Sequence, residues 1–490
     1  MLQACMAAPR ATQPERARPS KRNIPRELEA FAMPSAHPLP RRRVLLTIAT
    51  ILLLLASGAC SAVPALAPLP TLLPTVLPTT EPTPAPVSIE DLHATGCIVH
   101  LWHSFTDEEE AQLLKLARDF VAGNPYGIGL CAEFHDPLRE ELLAAMDAGT
   151  PPDIIIAPRD LVAEHALSDA VARLDQYIHS PKHGLSKLEQ RDLWPVIWEA
   201  ARPSGSDAEP LGLLFNHHAV VMYLNTDWLE ELGFSAPPQN WDEFAEMCDA
   251  ARDSKAELWG YTFSADGAVL VNWIWGLGGT VIDHRSGQAR LDSPEAIASL
   301  SLLHDFVERD CADCVSEPSA NRDSFTARRS LFTFGTTGDL AEYAEAIGEE
   351  FGWSVAPLPH LTGQPVVNVE GSLVSILTTT PQQQLASWIF IKWLSTTRSD
   401  LRWALATGAL PMHRSIKYSP EMETCFQHIP QYETACQLLG YALLEPTVPK
   451  WLEVRAVLAD AAETMCAPST SPEPVLAAAA DAADHLMTGH

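Results

Sequence analysis

The chain of 490 residues is long enough for two or three domain-sized units. It carries 62 acidic against 33 basic residues, a formal net charge of −29. Such a surface repels nucleic acid and anionic ligands at long range. We therefore expect no nucleic-acid partner, and a neutral or cationic ligand is favoured over an anionic one.

The first 59 residues read as a leader. Three arginines at 41–43 precede an apolar run of 13 residues at 44–56, and small residues follow. This is the layout of a secretory signal peptide, here about residues 38–59. The apolar run is shorter than the about 20 residues that a membrane-spanning helix needs. Met33 is a possible true start, because it gives the arginines their usual place in a leader.

The leader ends at Cys60, whose surroundings resemble the lipidation motif of bacterial lipoproteins. Gly58 and Ala59 fit that motif, whereas Ser57 stands where a larger aliphatic residue is preferred. The alternative is an ordinary signal peptide followed by a chance cysteine. Residues 60–88 contain eight prolines and five threonines with almost no charge, which favours an extended linker without a core. We expect export and lipid anchoring to the outer face of the cell membrane.

Export makes disulfides possible for the cysteines after Cys60. Cys311 and Cys314 form a CxxC pair, which is also found in zinc sites and redox motifs. No second CxxC and no histidine pair at metal spacing accompanies it, so a local disulfide is favoured and no metal site is expected. The other candidate pairs are Cys97–Cys131 and Cys425–Cys436.

Alternating strands and helices open the domain. Residues 97–102, 128–134 and 153–157 read as strands, and a helix lies in each interval between them. Thr106 is the expected N-cap of the first helix, with Glu109 completing a capping box. This order implies a parallel sheet covered by helices. Open sheets of this kind bind ligands at the carboxyl ends of their strands.

Further strands and helices follow, again without a short-period repeat. The segments with the clearest patterns are strands at 213–224, 330–334 and 353–358, and helices at 241–252, 294–309, from 381 onward, and through most of 454–486.

Taken in order, these segments resemble the extracellular solute-binding proteins of ABC importers, in the maltose- and multiple-sugar-binding group called family 1. The resemblance covers residues 96–488. It is carried by VHLWHSFTDEEEAQLLKLARDF at 99–120, MDAGTPPDIII at 146–156, PLGLLFNHHAVVMYLNTDWLEELGF at 210–234, SLFTFGTTGD at 330–339, VNVEGSLVSI at 367–376 and TGALPMHRS at 407–415.

The resemblance implies a two-lobe α/β fold of the type II periplasmic-binding-protein kind, in which each lobe is a sheet covered by helices. Lobe 1 would comprise 89–214 and 360–412, and lobe 2 would comprise 215–359 and 413–490. The ligand would lie in the cleft, and hinge closure around it would be recognised by a membrane permease. The implied ligand is a carbohydrate, either a mono- or an oligosaccharide, bound by a monomer without a cofactor.

Sugars have apolar faces, on which aromatic rings stack, and hydroxyl rims, which planar polar groups bond. The candidate ligand contacts combine both kinds of side chain with positions that the resemblance points at the cleft. Alternation suggests that either Trp273 or Trp275 faces the cleft and the other the core, while Trp102 could simply close a strand end. The candidates are Trp102, Ser104, Asp107, Arg159, Asp160, Asn216, His218, Trp273, Trp275, Thr336, Thr337, Glu370, Gly371 and Trp451.

Other functions are kept as alternatives. The same fold could bind a polyamine, a peptide or a polyol phosphate, or the chain could be a surface glycan sensor or adhesion module without transport. An enzyme is disfavoured, because the sequence lacks a G-x-S-x-G elbow, an H-E-x-x-H motif and a Walker loop. His217 and His218 are adjacent in a predicted strand, so their side chains point to opposite faces and cannot easily share one metal.

Overall fold

The structure, a computed structural model, describes residues 88–204, 208–317, 319–467 and 469–488. The leader, Cys60 and the linker up to residue 87 lie outside these ranges. The strands are β1 (Ile98–His103), β2 (Gly129–Phe134), β3 (Ile154–Pro158), β4 (Leu213–Asn225), β5 (Trp259–Ser264), β6 (Ala312–Val315), β7 (Ser330–Thr336), β8 (Trp353–Ala356), β9 (Val367–Ile376) and β10 (Ala442–Leu444).

Helices cover these strands. They are α1 (Asp107–Gly123), α2 (Leu138–Asp147), α3 (Arg159–Ala166), α4 (Asp175–Ile178), α5 (Lys187–Asp192), α6 (Pro195–Ala200), α7 (Thr226–Glu231), α8 (Trp241–Ala251), α9 (Gly267–Gly276), α10 (Pro294–Glu308), α11 (Ala320–Thr326), α12 (Leu340–Ile347), α13 (Pro381–Leu394), α14 (Thr397–Thr407), α15 (Pro420–His428), α16 (Pro430–Leu438), α17 (Trp451–Thr464) and α18 (Pro472–Thr488). None of the described helices is long and apolar enough to cross a membrane.

The opening β1, β2 and β3 form the predicted parallel arrangement. β1 pairs in parallel with β2 on one side and with β3 on the other. Residues 154–157 of β3 are almost fully buried, as expected for a strand covered on both faces. The helices between these strands, α1 and α2, lie where the sequence predicted them. The apolar pattern of this region was therefore sufficient to define its local topology.

Two long strands, β9 and β4, connect the two halves of the sheet. The strand order is β2-β1-β3-β9-β4-β7-β5-β6, with β10 paired to β9 and β8 paired to β4. Residues 213–219 of β4 pair with β9, whereas residues 220–225 pair with β7 and β8. One strand therefore belongs first to one half of the sheet and then to the other. This crossing brings the two halves together at the middle of β4.

The crossing contains a local irregularity that matters for the site. The register between β4 and β9 shifts between Phe215 and His217, and Asn216 has a positive φ of 50°. A bulge of this kind re-aims a side chain away from the regular alternation. Opposite it, a Cβ on Gly371 would lie 2.8 Å from Cβ of His217, so a glycine is needed for the two strands to approach.

The buried side chains form two hydrophobic clusters. The first core cluster includes Phe120, Trp388 and Trp403, from helices on the β1–β3 half. The second core cluster includes Phe244 and Phe306, together with the last two helices, α17 and α18. Fully burying one such side chain contributes roughly 1.5–3 kcal/mol, so each half has its own source of stability.

The boundary of the two lobes stays a prediction. One observation bears on it, because Ile416, Met422 and Tyr432, from the segment predicted to begin the last part of lobe 2, pack in the first core cluster. The later helices α17 and α18 pack in the second core cluster. The chain therefore passes from the first to the second core cluster between residue 444 and residue 448.

The predicted disulfides are wrong. Within the described ranges the structure forms the disulfide Cys314–Cys466, which joins β6 to the segment after α17. Cys311 and Cys314 lie in extended chain, where three residues span about 10 Å, beyond the reach of a disulfide. The Cys311 thiol instead donates a hydrogen bond to Asp249 Oδ1 at 2.7 Å.

The other two candidate pairs do not form either. Cys131 is paired with His100 in the parallel ladder, so Cys97 lies three residues away along β1, again about 10 Å. Cys425 and Cys436 lie on α15 and α16, both are buried in the first core cluster, and no disulfide joins them.

Candidate functional site

A cavity of about 240 Å³ lies at the crossing of β4 and β9. It is bounded by the carboxyl end of β3, the bulge of β4, the middle of β9 and the start of α17. Its lining residues are Pro158, Arg159, Asp160, Asn216, His218, Glu370, Gly371, Ser372, Glu445, Pro446, Trp451, Leu452 and Arg455. Seven predicted site residues are brought together here: Arg159, Asp160, Asn216, His218, Glu370, Gly371 and Trp451.

Asn216 is held rigidly at the cavity by its two amide atoms. Its Nδ2 donates to Glu109 Oε1 at 2.7 Å, and its Oδ1 accepts from Trp403 Nε1 at 3.1 Å. The predicted capping box is therefore wrong, because Thr106 makes no side-chain cap hydrogen bond and the Glu109 carboxylate is used by Asn216. Burial raises the pKa of Glu109, and the hydrogen bond from Asn216 opposes this shift.

Arg455 is the centre of a cluster of carboxylates. Its guanidinium lies 2.7 Å from Glu370, 3.5 Å from Glu445 and 3.6 Å from Asp266. Glu445 also accepts a hydrogen bond of 2.6 Å from the indole nitrogen of Trp451. Because Glu370 lies on the crossing strand β9 and Arg455 on α17, this ion pair links the strand shared by both halves to a helix of the second core cluster.

The cluster controls the charges in the cavity. Burial raises the pKa of Glu370, although the Arg455 charge lowers it in part. Burial alone would lower the pKa of Arg455, but the carboxylates of Glu445, Glu370 and Asp266 raise it above its ordinary value. Removing Arg455 would leave its carboxylates without a counter-charge, whereas removing Glu370 leaves Arg455 with Glu445 and Asp266.

Arg159 and Asp160 begin α3, directly after β3. Arg159 is buried, and burial lowers its pKa, while the Glu445 and Glu370 carboxylates act in the opposite direction. Asp160 pairs with Arg139 at 2.9 Å, and its other oxygen, Oδ1, is buried without a hydrogen-bond partner in the described part of the chain. Burial raises the pKa of Asp160, with the Arg139 charge opposing it.

The two adjacent histidines differ in position. His217 is fully buried, and neither ring nitrogen has a hydrogen-bond partner among the described residues, whereas His218 lines the cavity. Burial, with the neighbouring His218 adding to it, lowers the pKa of His217 to about 3. Burial also lowers the pKa of His218 to about 4. Both imidazoles are therefore neutral at pH 7.

A second, smaller cavity of about 190 Å³ lies near the end of β7. The predicted Thr336 lines it, together with Asp266, which is also the third carboxylate near Arg455. Thr337 is fully buried instead, and its hydroxyl accepts the backbone N–H of Ala219 at 3.0 Å. Thr337 thus braces β4, and its side chain has no surface to offer a ligand in this conformation.

Trp273 and Trp275 are not brought to either cavity. Both lie on α9, a helix whose residues are all buried, so the alternation expected of a strand does not apply. Trp273 is 0 % exposed and packs on Trp241, with ring centroids 4.5 Å apart. Trp275 is 9 % exposed and belongs to the same second core cluster. The sequence predicted that either Trp273 or Trp275 faces the cleft. The prediction is wrong for Trp273, which is a core residue.

The three remaining candidates lie near the end of β1, away from the cavity lining. Trp102 is partly buried and stacks on His135, with ring centroids 3.7 Å apart. Ser104 and Asp107 are exposed, in the turn from β1 into α1. A role of these residues in ligand binding stays a prediction.

Sequence reasoning missed Glu445 and Arg455, although both line the cavity. Arg455 could have been predicted from the sequence, because it follows Trp451 by four residues on a helix, and i,i+4 side chains share one face. Glu445 follows the short strand β10, which has no clear pattern in the sequence.

A polar cavity at strands that cross between two cores is the arrangement of a two-lobe binding protein. The fold is the type II periplasmic-binding-protein fold, as two solved structures show. The sugar-binding protein MalE from Xanthomonas citri superposes with a TM-score of 0.70 at 19 % identity, covering 80 % of this chain and 98 % of that one. The cyclic alpha-maltosyl-1,6-maltose binding protein from Arthrobacter globiformis gives 0.68 at 17 % identity, covering 80 % and 99 %.

The chain belongs to the bacterial extracellular solute-binding proteins, the family that matches residues 115–427. Among curated relatives, the maltotriose-binding protein of Pyrococcus abyssi is 24 % identical over 366 residues, which cover 72 % of this chain and 74 % of the relative. A putative binding protein of Brucella abortus is 23 % identical over 389 residues, covering 76 % and 89 %. These relatives are named as binding proteins, not as enzymes.

Proposed function

We propose that this protein is the substrate-binding component of an ABC importer, and that it captures a mono- or oligosaccharide in the cavity at the β4–β9 crossing. The observation that carries the proposal is the convergence of Arg159, Glu370, Trp451 and Arg455 on this one cavity. Relatives named for binding maltotriose and other sugars support the same assignment.

The charge balance of the cavity favours a neutral polar ligand. Two guanidinium groups, Arg159 and Arg455, face the carboxylates of Glu370 and Glu445, and His218 is neutral. The third carboxylate of the lining, Asp160, is paired with Arg139 outside the cavity. Such groups bond hydroxyls as donors and acceptors while keeping the net charge near zero. The volume of about 240 Å³ lies just below the roughly 300–1,000 Å³ of common ligand pockets, which suits a small solute.

Transport follows from closure of the two halves on the ligand. The cavity takes residues from β3 and β9 and from α17, which packs in the second core cluster. A ligand that contacts both halves shifts the population toward the closed form, which a permease then recognises. Lipidation of Cys60 and the proline-rich linker would keep a monomeric binding protein near that permease. In this account the chain has no catalytic activity.

A cationic solute such as a polyamine is the second candidate. Asp266 adds a third carboxylate beside Arg455, and the whole chain is strongly acidic. A surface glycan sensor without transport is the third alternative, and the absence of permease genes next to this gene would favour it.

Tryptophan fluorescence and calorimetric titration of the full chain against sugars and polyamines tests the proposal. We expect saturable binding of at least one mono- or oligosaccharide at one site per chain. Binding of a polyamine with no response to any sugar would overturn the carbohydrate assignment in favour of the second candidate. Glu370→Gln alters the cavity and should weaken binding, whereas the control Lys255→Gln changes an exposed residue outside it and should not.

A further inference from the structure

A mixed cluster of metal-ligating side chains lies on the edge strands β1 and β2. The side chains of His100, Cys131 and Glu133 each offer one donor atom, and these atoms lie within 4.8 Å of one another. We propose that His100, Cys131 and Glu133 bind one Zn²⁺ ion at this edge of the sheet. This site is separate from the cavity, because β3 lies between β1 and the crossing strand β9.

The parallel register explains why these residues meet. His100 is paired with Cys131, and Trp102 is paired with Glu133. Residues two apart in a strand share a face, so His100, Cys131 and Glu133 project to the same side of the sheet. Cys131 and Glu133 follow His100 by 31 and 33 residues, so no short spacing in the sequence indicated that the histidine joins them.

The distances already approach those of a tetrahedral site. Zinc bonds of about 2.0–2.3 Å place neighbouring ligand atoms about 3.3–3.8 Å apart. Glu133 Oε1 lies 3.4 Å from His100 Nδ1 and 3.2 Å from the Cys131 Sγ. The His100 and Cys131 side chains are exposed, so they are free to make the small adjustment that brings the third pair into range.

A neighbouring histidine supports the site. His135 Nε2 lies 3.7 Å from the second oxygen of Glu133, and it is buried without a hydrogen-bond partner in the described ranges. The other ring nitrogen, Nδ1, contacts the Glu141 carboxylate, and Trp102 stacks on the ring. A carboxylate on one ring nitrogen leaves the other with its lone pair available to a metal. His135 or a water molecule completes the coordination.

The donor set selects the metal. A thiolate and an imidazole favour zinc over magnesium and calcium, which prefer sites made of oxygen atoms. Because the ligands come from both strands, a bound ion would also fasten the edge strand β2 to β1. Binding displaces the thiol proton of Cys131, so affinity falls as the pH is lowered.

Zinc titration of the full chain tests the proposal. The protein, with its Cys314–Cys466 disulfide intact, is stripped with a chelator and titrated with Zn²⁺ by calorimetry, and with Co²⁺ by absorption. We expect one tightly bound ion that Cys131→Ser and His100→Ala each weaken at least tenfold, and a thiolate-to-cobalt absorption band that Cys131→Ser removes. Cys97→Ser is the matched control, since Cys97 precedes the same strand outside the cluster, and its affinity should equal that of the unmodified chain.

Two results would overturn the site. One is the absence of stoichiometric zinc binding, and the other is binding that neither Cys131→Ser nor His100→Ala changes. Circular dichroism confirms that each variant is folded, and Glu133→Gln provides an independent ligand variant if either of the others fails to fold. The titration needs no sugar, so its outcome does not depend on the proposed function.

Discussion

Two tryptophan-bearing helices, α9 and α17, offer aromatic side chains close to the crossing strands, yet only one of them lines the cavity. Trp273 on α9 is enclosed by Trp241, Tyr261 and Phe334. Trp451 at the start of α17 lines the cavity and donates its N–H to Glu445. The difference lies in the surroundings, since α9 is buried all round whereas α17 begins at the cavity wall. Residue type alone therefore does not assign a tryptophan to a ligand.

The largest effect is expected from Trp273→Ala. Because the side chain is fully buried, the variant should lose about 3–5 kcal/mol of unfolding free energy through a cavity in the second core cluster. The fraction that remains folded should bind ligand with nearly unchanged affinity. Denaturant unfolding and calorimetric titration of the same sample measure both quantities. A stable variant that has lost ligand binding would mean that Trp273 contacts the ligand and is not a core residue.

The next effect concerns the disulfide that holds the far end of α17. Cys314 and Cys466 are 152 residues apart, so breaking their bond frees a long loop in the unfolded chain. We expect Cys466→Ser to lower the unfolding free energy by about 2–4 kcal/mol. Cys311→Ser is the matched control and should cost less, because Cys311 forms no disulfide. The reverse order, measured by urea unfolding, would restore the CxxC disulfide that the sequence favoured.

The two adjacent histidines of β4 also differ, since His217 is fully buried whereas His218 lines the cavity. The pKa of His217 falls to about 3 on folding, from an ordinary value near 6.5, so the unfolded chain binds more protons below pH 6.5. Its contribution to stability is therefore complete above pH 6.5 and is lost as the pH falls toward 3. Unfolding free energy should drop by up to about 1.4 kcal/mol per pH unit from this residue alone.

The difference in unfolding free energy between the unmodified chain and His217→Gln isolates the contribution of His217 from those of the other titrating groups. We expect the variant to show a shallower loss of stability between pH 6.5 and pH 4 in thermal or urea unfolding. Equal slopes in the two proteins would mean that His217 is not buried as the structure has it.

Sequence reasoning predicted local structure better than it predicted long-range contacts. The apolar run at 153–157 and its flanking helices defined the parallel start of the sheet, because burial on both faces leaves a continuous apolar pattern. The disulfide Cys314–Cys466 could not be found in this way, since it depends on packing between residues far apart in the chain. The proposed zinc ligands His100 and Cys131 could not be predicted for the same reason, because they meet only through the register of β1 and β2.

The residues of the candidate site also divide into those that local structure predicts and those that depend on tertiary contacts. Residues at strand ends and at the crossing, such as Arg159, Asn216 and Glu370, were predictable from topology and lie at the cavity. Trp273 was misplaced because its segment is a helix, not a strand with alternating faces. Glu109 was assigned to a helix cap from a local motif, whereas a tertiary hydrogen bond from Asn216 takes its carboxylate.

The role of the cavity in ligand binding is tested by removing one charge from its lining. Glu370→Gln keeps the size of the side chain but removes the charge that faces Arg455 at 2.7 Å. A hydrogen bond to a charged group contributes about 1.5–3 kcal/mol, so ligand affinity should fall by about 10- to 100-fold. The control is Trp275→Phe on α9, which should bind ligand as the unmodified chain does.

The most direct measurement is therefore a side-by-side calorimetric titration of the unmodified chain, Glu370→Gln and Trp275→Phe with the same sugar. We expect that only Glu370→Gln loses affinity, at one site per chain, while all three proteins remain folded. Unchanged affinity in Glu370→Gln together with lost affinity in Trp275→Phe would contradict it and would move the ligand from the strand crossing to α9.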